Sequence, residues 1–375
     1  MGLSIGIVGL PNVGKSTLFT ALTKKGGMAT KYPFASKEAN IGTVPVPDVR
    51  LDALAAIVKP TRIMPATVEF VDVAGLVKGA NDGEGMGNQF LASIRETDAI
   101  IEVLRCFTDD EVVHVTGTPD PANDSEIIKM ELILADLGTI ERALPRLEKD
   151  AKRNKTFATK VEVVRAVQEW LDAGNRAISF DFAKLSSKLD GVNNANEARA
   201  HIYDLHLLTM KPLLYVANID ESKLGDAATE AGAMAPIDGI EPIQISAKIE
   251  ADIAELAESS PEDAAIFIEE LGLTSTSLER LIQSAYALLG LQSYFTAGDF
   301  EVKAWTIPIG SKAPQAAGVI HSDFEKGFIK AETISYEDYI AHGGEAGCKA
   351  VGRLRIEGKE YVVQDGDVMH FRFAP

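Results

Sequence analysis

The segment Gly9-Leu10-Pro11-Asn12-Val13-Gly14-Lys15-Ser16 has the residue types and spacing of a phosphate-binding loop, G-x-x-x-x-G-K-[ST], and it follows a short apolar run at 3–8. Glycine at both ends lets backbone N–H groups curl around phosphate oxygens, and a helix starting near Lys15 adds a favourable dipole. Lys15 would reach the β- and γ-phosphate oxygens, making it both a binding and a catalytic candidate, and the Ser16 hydroxyl can ligate Mg²⁺. Asn12, Val13, Gly14, Lys15, Ser16 and Thr17 are the expected phosphate-binding residues. The plainer alternative, a chance Gly-rich turn, is disfavoured by the strand and helix on either side.

Asp72-Val73-Ala74-Gly75 ends a second apolar run about 60 residues later. An Asp at a strand end beside a phosphate loop is the usual second Mg²⁺ partner, and the Gly75 N–H could meet a γ-phosphate. Four glycines between 79 and 87 suggest a loop that responds to that phosphate. Asn218-Ile219-Asp220-Glu221 and Ser246-Ala247-Lys248 each follow an apolar strand, where such proteins read the base. Each tetrad or triad is weak by itself; order and spacing make them strong.

Four residue runs at 3–8, 67–71, 99–104 and 212–217, with a shorter one at 243–245, read as strands alternating with helices. That alternation predicts an α/β fold, a parallel sheet covered by helices. Asp124 and Ser125 are candidate caps of a long helix running to about Arg153, followed by another at 160–171. Together they form an expected helical hairpin inserted into the sheet portion. From about Leu291, short β-rich runs between Gly and Asp turns predict a small mixed module. The expected division is a discontinuous nucleotidase portion at 1–125 and 205–290, a helical insertion at 126–204, and a C-terminal unit at 291–375.

Beyond these features the chain resembles the Obg-like ATPase family, of the YchF type, over nearly its whole length. The matching segments are GLPNVGKST at 9–17, DVAGLVKGANDGEGMGNQFL at 72–91, RCF at 105–107, HVTGTPDP at 114–121, NIDE at 218–221 and IHSDFEKGFIKAE at 320–332. The resemblance implies a P-loop nucleotidase sheet, an inserted helical hairpin, and a C-terminal TGS domain of ubiquitin-like β-grasp fold. It also implies ATP hydrolysis and association with the ribosome or a ribosomal subunit, in translation and stress. The chain departs from the pattern at PFASKEAN, 33–40, where Ser36 replaces the usual switch Thr; Ser36 is the expected substitute Mg²⁺ ligand and Thr43 the weaker alternative. Val49 replaces a common Pro, and Glu102 sits in a strand that is usually more apolar.

The residue after D-x-x-G is Leu76, not the Gln that orients water in Ras-type switches. His114, in a polar loop after the third strand, is the candidate for positioning the attacking water. Asn12 is a candidate K⁺ ligand, as in potassium-dependent relatives, against a plain turn-stabilising role. The helical insertion carries a basic run, Arg142 to Arg165, that could meet rRNA phosphates, against the plainer reading of a solvated helix face.

The net charge of −18 argues against broad binding to naked nucleic acid, and no sequence-specific DNA partner is expected. Cys106 and Cys348 share no ligand spacing, so a reducing compartment is the default and Cys106 reads as a small core residue. No apolar run approaches membrane-spanning length, so no membrane is expected and the cytoplasm is the expected location. GTP in place of ATP is the alternative ligand. A small-molecule kinase is disfavoured by the switch-like loop, and a non-hydrolytic module by intact Lys15, Ser16 and Asp72.

Overall fold

The computed structural model describes residues 3–24, 28–30, 40–73, 86–109, 117–189, 191–224, 235–271, 273 and 275–374. In the first third of the chain the elements are β1 (Ser4–Val8), α1 (Lys15–Lys24), β2 (Met28–Thr30), β3 (Asn40–Pro45), α2 (Val49–Val58), β4 (Arg62–Met64), β5 (Thr67–Asp72), α3 (Met86–Glu96) and β6 (Ala99–Cys106). Then follow α4 (Pro121–Ala151), α5 (Lys155–Asp172), α6 (Phe182–Ser186), α7 (Ala195–Ala200), β7 (Leu213–Ile219), β8 (Ile243–Ile245), α8 (Ala247–Ser259), α9 (Pro261–Glu270) and α10 (Ser277–Leu288). A seven-stranded sheet has the order β2-β3-β5-β1-β6-β7-β8. Its strands from β5 to β8 pair in parallel, and β2 and β3 add an antiparallel edge. The central strands read as near-continuous apolar runs because both faces are covered: every residue of β6 except Cys106 is buried.

Helix α4 begins one turn earlier than its sequence suggests. Its cap is Asp120, whose side chain accepts the Asn123 N–H, with Pro121 in the first turn. Asp124 and Ser125, the expected caps, are buried inside the helix. Pro at the first helical position has no N–H to leave unsatisfied, which favours the earlier start. Ile133, Ile140 and Leu147 of α4 pack with Val163, Val164 and Val167 of α5 in a core of their own. The return of the chain to the sheet is pinned by buried Asp136, which accepts from the Leu208 and Thr209 N–H groups and the Thr209 hydroxyl at 2.7–2.8 Å. The basic face expected of the hairpin is partly neutralised: Arg165 pairs with Glu148 and Lys160 with Asp204, each at 2.7 Å.

Glu102, the odd residue of β6, is wholly buried and faces the Arg176 guanidinium at 3.5 Å. Burial pushes its carboxyl up to about 8, with Arg176 opposing. Arg176, which immediately precedes a short 3₁₀ turn after α5, also meets Tyr215 and Asp238, so this cluster ties the insertion to β6 and β7.

The C-terminal portion contains β9 (Leu291–Ala297), β10 (Glu301–Pro308), α11 (Ala313–Ile320), α12 (Ser322–Lys326), β11 (Phe328–Ile334), α13 (Tyr336–Ala341), α14 (Glu345–Ala350), β12 (Arg355–Glu357) and β13 (Val368–Phe373). The second sheet has the order β12-β11-β13-β9-β10-β4, with α11 and α12 packed on one face. An isolated antiparallel bridge joins Lys312 to Val362 outside the named strands. β4 comes from the segment expected to be purely nucleotidase, yet it pairs in parallel with β10. Arg50 of α2 reinforces the contact, donating to Asp365 at 2.7 Å and lying over the Phe295 ring. One apolar core joins Leu51, Leu54, Leu281 and Ile282 to Phe295, Val302, Ile334 and Val368.

Candidate functional site

The phosphate loop links the buried end of β1 to the first turn of α1. Its path needs left-handed backbone at Asn12 and Gly14 (φ 63° and 97°). Asn tolerates that region better than most side chains. A Cβ at Gly9 would lie 2.6 Å from the Val103 carbonyl oxygen, and one at Gly14 would overlap the Asn218 amide nitrogen. Both glycines are therefore fixed by close approach to the neighbouring strands β6 and β7.

Lys15 is only 8% exposed. Its ammonium donates to the Gly9 and Leu10 carbonyls at 3.0 and 2.7 Å, across the mouth of its own loop. Burial lowers its pKa to about 8, and the Asp72 charge opposes that shift. Asp72 ends β5 in register with Ile7 of β1. Burial raises its carboxyl, while Lys15 and a hydrogen bond from Asn40 hold it down.

A cavity of about 620 Å³ opens beside the loop. Asn12, Gly14, Lys15, Ser16 and Thr17 form its phosphate side, and Asn218, Ile219, Glu221, Ser246, Ala247 and Lys248 its far side. Sequence motifs some 200 residues apart thus converge on one space. Val13 does not line it: its side chain is buried in the core, and its carbonyl is the working part. Thr43 lies inside β3, paired with Met28 and Glu69, and is not among the lining residues. Gly75, Ser36 and His114 lie outside the described residues.

Asn218, which lines the cavity, also holds two loops together. Its amide nitrogen donates to the Val13 carbonyl at 2.9 Å, and its amide oxygen accepts the Ala247 N–H at 3.0 Å. It is a buried staple between the phosphate loop and the 246–248 turn, with a hydrogen bond at each end of its amide. Removing it leaves a carbonyl and an N–H unpaired in a buried site, at ~1–3 kcal/mol each. Asn218→Ala is therefore expected to lower the thermal midpoint by several degrees in a calorimetric scan. Lys248→Ala should leave it unchanged, because the Lys248–Glu221 pair, 2.5 Å apart, is largely exposed and such pairs contribute little.

Phe107, Thr108 and Asp109 also line the cavity, and the motif reading did not single them out. Their signal was the Arg-Cys-Phe triplet at the end of β6. Buried Arg105 donates to the Phe107 and Asp109 carbonyls and lies 4.6 Å from the Phe107 ring centroid, fixing this wall. Cys106 packs into the core beside them, and burial pushes its thiol up to about 12, which fits a packing role.

A loop of this geometry at a helix N-terminus, with a buried lysine and a carboxylate at the next strand end, is a triphosphate site. A family model described as a 50S ribosome-binding GTPase matches residues 4–135, and the model of a YchF GTPase C-terminal region, described as a protein of unknown function, matches 291–374. A Bacillus subtilis protein named ribosome-binding ATPase YchF is 48% identical, and one of the same name from Escherichia coli O157:H7 is 50% identical. Each alignment covers 100% of this chain and at least 99% of the relative. The chain belongs to the YchF family. A solved structure, the Schizosaccharomyces pombe YchF GTPase, is similar across 99% of this chain and 98% of its own, at 35% identity and a TM-score of 0.83. The YchF fold accounts for both sheets and for the helical insertion between β6 and β7.

Proposed function

We propose that this chain is a ribosome-associated ATPase that binds ATP with Mg²⁺ in the 620 Å³ cavity and hydrolyses it to ADP and phosphate as a translation- and stress-linked switch. The observation that carries the reading is Lys15, a buried cation held at the edge of a cavity whose opposite wall lacks guanine-selective chemistry. A guanine site uses an Asp carboxylate against two base N–H groups and a Lys packed on the ring. Here Ile219 takes the Lys position, and Glu221 is longer and already paired with Lys248. Leaving a buried base edge unpaired costs ~1–3 kcal/mol, enough for about tenfold discrimination. The Phe107 ring offers an adenine a flat face instead. The name of the two bacterial relatives supports ATP; the S. pombe protein's description as a GTPase supports GTP as the second reading.

The Ser16 hydroxyl and the Asp72 carboxylate are hard oxygen donors of the kind Mg²⁺ takes; Ser16 lines the cavity, and Asp72 stands in register with Ile7 on β1, the strand that leads into the phosphate loop. Ser36 is the proposed third ligand. Bound Mg²⁺ would neutralise charge on the β- and γ-phosphates. Lys15 would leave the Gly9 and Leu10 carbonyls for the same oxygens, the N–H groups from Asn12 to Thr17 and Gly75 would orient them, and Asn12 would hold a K⁺ ion. His114 is the group proposed to position the attacking water. The proposed division is a nucleotidase portion at 1–125 and 205–290, an insertion at 126–204 and a TGS module at 291–375. The proposed location is the cytoplasm; among the described residues no helix is long and apolar enough to cross a membrane.

Calorimetric titration with ATP and GTP side by side, followed by a phosphate-release assay, tests the reading. ATP should bind at least tenfold more tightly; the reverse order makes GTP the ligand. In the same assay K⁺ should support faster release than Na⁺, and His114→Ala should bind ATP but release little phosphate. Equal rates in the two salts, or normal turnover by the variant, would remove those two roles.

The Lys15 shift gives a pH signature. An unfolded lysine keeps its proton to about 10.5, the folded one to about 8. Between those values the unfolded chain holds more protons, so the cost of burying the cation is full below pH 8 and fades as pH rises. A bound triphosphate restores the proton. ATP binding at about pH 9 should therefore take up a proton and weaken with rising pH, read by calorimetry in buffers of different ionisation enthalpy. Binding without proton uptake there would show that Lys15 does not meet the phosphates.

A further inference from the structure

The C-terminal sheet is split. β13 pairs with β11 along its length, but it pairs with β9 at the single register position Val368–Phe295. Past that point β9 turns into its hairpin with β10, where Gly298 donates to the Glu301 carbonyl, while β13 runs on from Met369 to Phe373. Beyond the Met369 N–H, which completes the Val368–Phe295 bridge, the β13 edge turned toward β9 has no strand partner among the described residues. A cavity of about 540 Å³ fills the gap between the hairpin tip and β13. Its floor is aromatic, with Phe324 stacked on Phe373 at 3.8 Å between centroids, and Phe300 at the hairpin tip is 68% exposed. Four carboxylates line it (Asp299, Glu301, Glu332 and Glu345), and no Lys or Arg does.

We propose that this split is a docking cleft for an extended, basic polypeptide segment of a ribosomal protein, which adds as a short strand along Met369 to Phe373. The inference rests on the reading that the ribosome is a partner, and it names the class of component contacted there. An unpaired strand edge presents a row of backbone donors and acceptors that another extended backbone satisfies, while alternate side chains fill flanking pockets. Half-buried Phe373 and exposed Phe300 give apolar side chains a surface to cover, while Met369 and Phe371 are already buried in the core with Ala316 and Ala317. Glu332 pairs with Arg372 at 3.2 Å and Glu301 lies 3.9 Å from Arg62, so the charge that repels phosphate, disfavours rRNA and attracts lysine and arginine comes chiefly from Asp299 and Glu345.

The test is site-specific photo-crosslinking, with benzoylphenylalanine replacing Phe300 in the full chain bound to purified ribosomes. The expected product is a covalent adduct to a ribosomal protein. An adduct only to rRNA, or none from a variant that still co-sediments, overturns the proposal. Independently, Phe300→Asp should weaken co-sedimentation about tenfold with ATP affinity unchanged, the latter reporting an intact fold; co-sedimentation equal to that of the unaltered protein also overturns it. If the unaltered protein fails to co-sediment at all, the ribosome reading fails and this inference with it, a result distinct from the others.

Discussion

Lys15→Ala is expected to lose ATP hydrolysis by two to three orders of magnitude in a phosphate-release assay, the range seen when one preorganised donor to developing charge is removed. The expectation follows from where the ammonium sits. It is buried, held on the Gly9 and Leu10 carbonyls, and no other lysine or arginine lies on the phosphate side of the cavity among the described residues. Calorimetric ATP binding should weaken in parallel, because the same cation meets the phosphates before and during the reaction. The free variant should stay folded, since burying this cation disfavours its charged form and its loss removes that cost. A folded Lys15→Ala protein with ordinary turnover would show that the phosphate site has been assigned to the wrong loop.

Removing residues 291–375 should unfold most of what is left. The modular reading of the sequence makes this unit look detachable, since every phosphate and base motif ends by Lys248. The core contradicts that: Phe295 and Val302 are fully buried in the same cluster as Leu54, Leu281 and Ile282. Deletion would strip the covering from α2 and α10 and leave β4 with no partner strand. Each large apolar side chain so exposed forfeits ~1.5–3 kcal/mol, and a handful of them matches the whole stability of a typical domain. The truncated chain should aggregate or lack a cooperative thermal transition, and it should bind ATP poorly for that reason. A soluble truncated protein with a sharp transition and normal ATP affinity would show that the two sheets are independent. Point changes such as Phe300→Asp are accordingly the better probe of the C-terminal unit.

The chemistry was legible wherever it depended on consecutive residues. Gly9 to Ser16 form a phosphate loop because local backbone geometry requires glycines and a helix start at fixed offsets. Strands β1, β5, β6, β7 and β8 showed as apolar runs because a parallel sheet is covered on both faces. The helical hairpin showed as two helical stretches, one running to about Arg153 and one at 160–171. Legibility failed where a residue's role depends on what stands across from it. The sequence placed Asn218 at the base side of the site but gave no sign that it staples two loops, because only β7 brings it against Val13 and Ala247. Phe107 and Asp109 became cavity wall because a buried Arg105 folds their carbonyls back. Glu102 looked like a stray charge until Arg176, from the insertion, met it. The sequence by itself determined the loop that can hold phosphates and the alternation that builds a parallel sheet, since both are set by neighbours along the chain. Only the tertiary structure decided that β4 crosses to the second sheet and that β13 outruns β9, because strand partnership is settled by long-range packing and leaves no periodic mark on either strand.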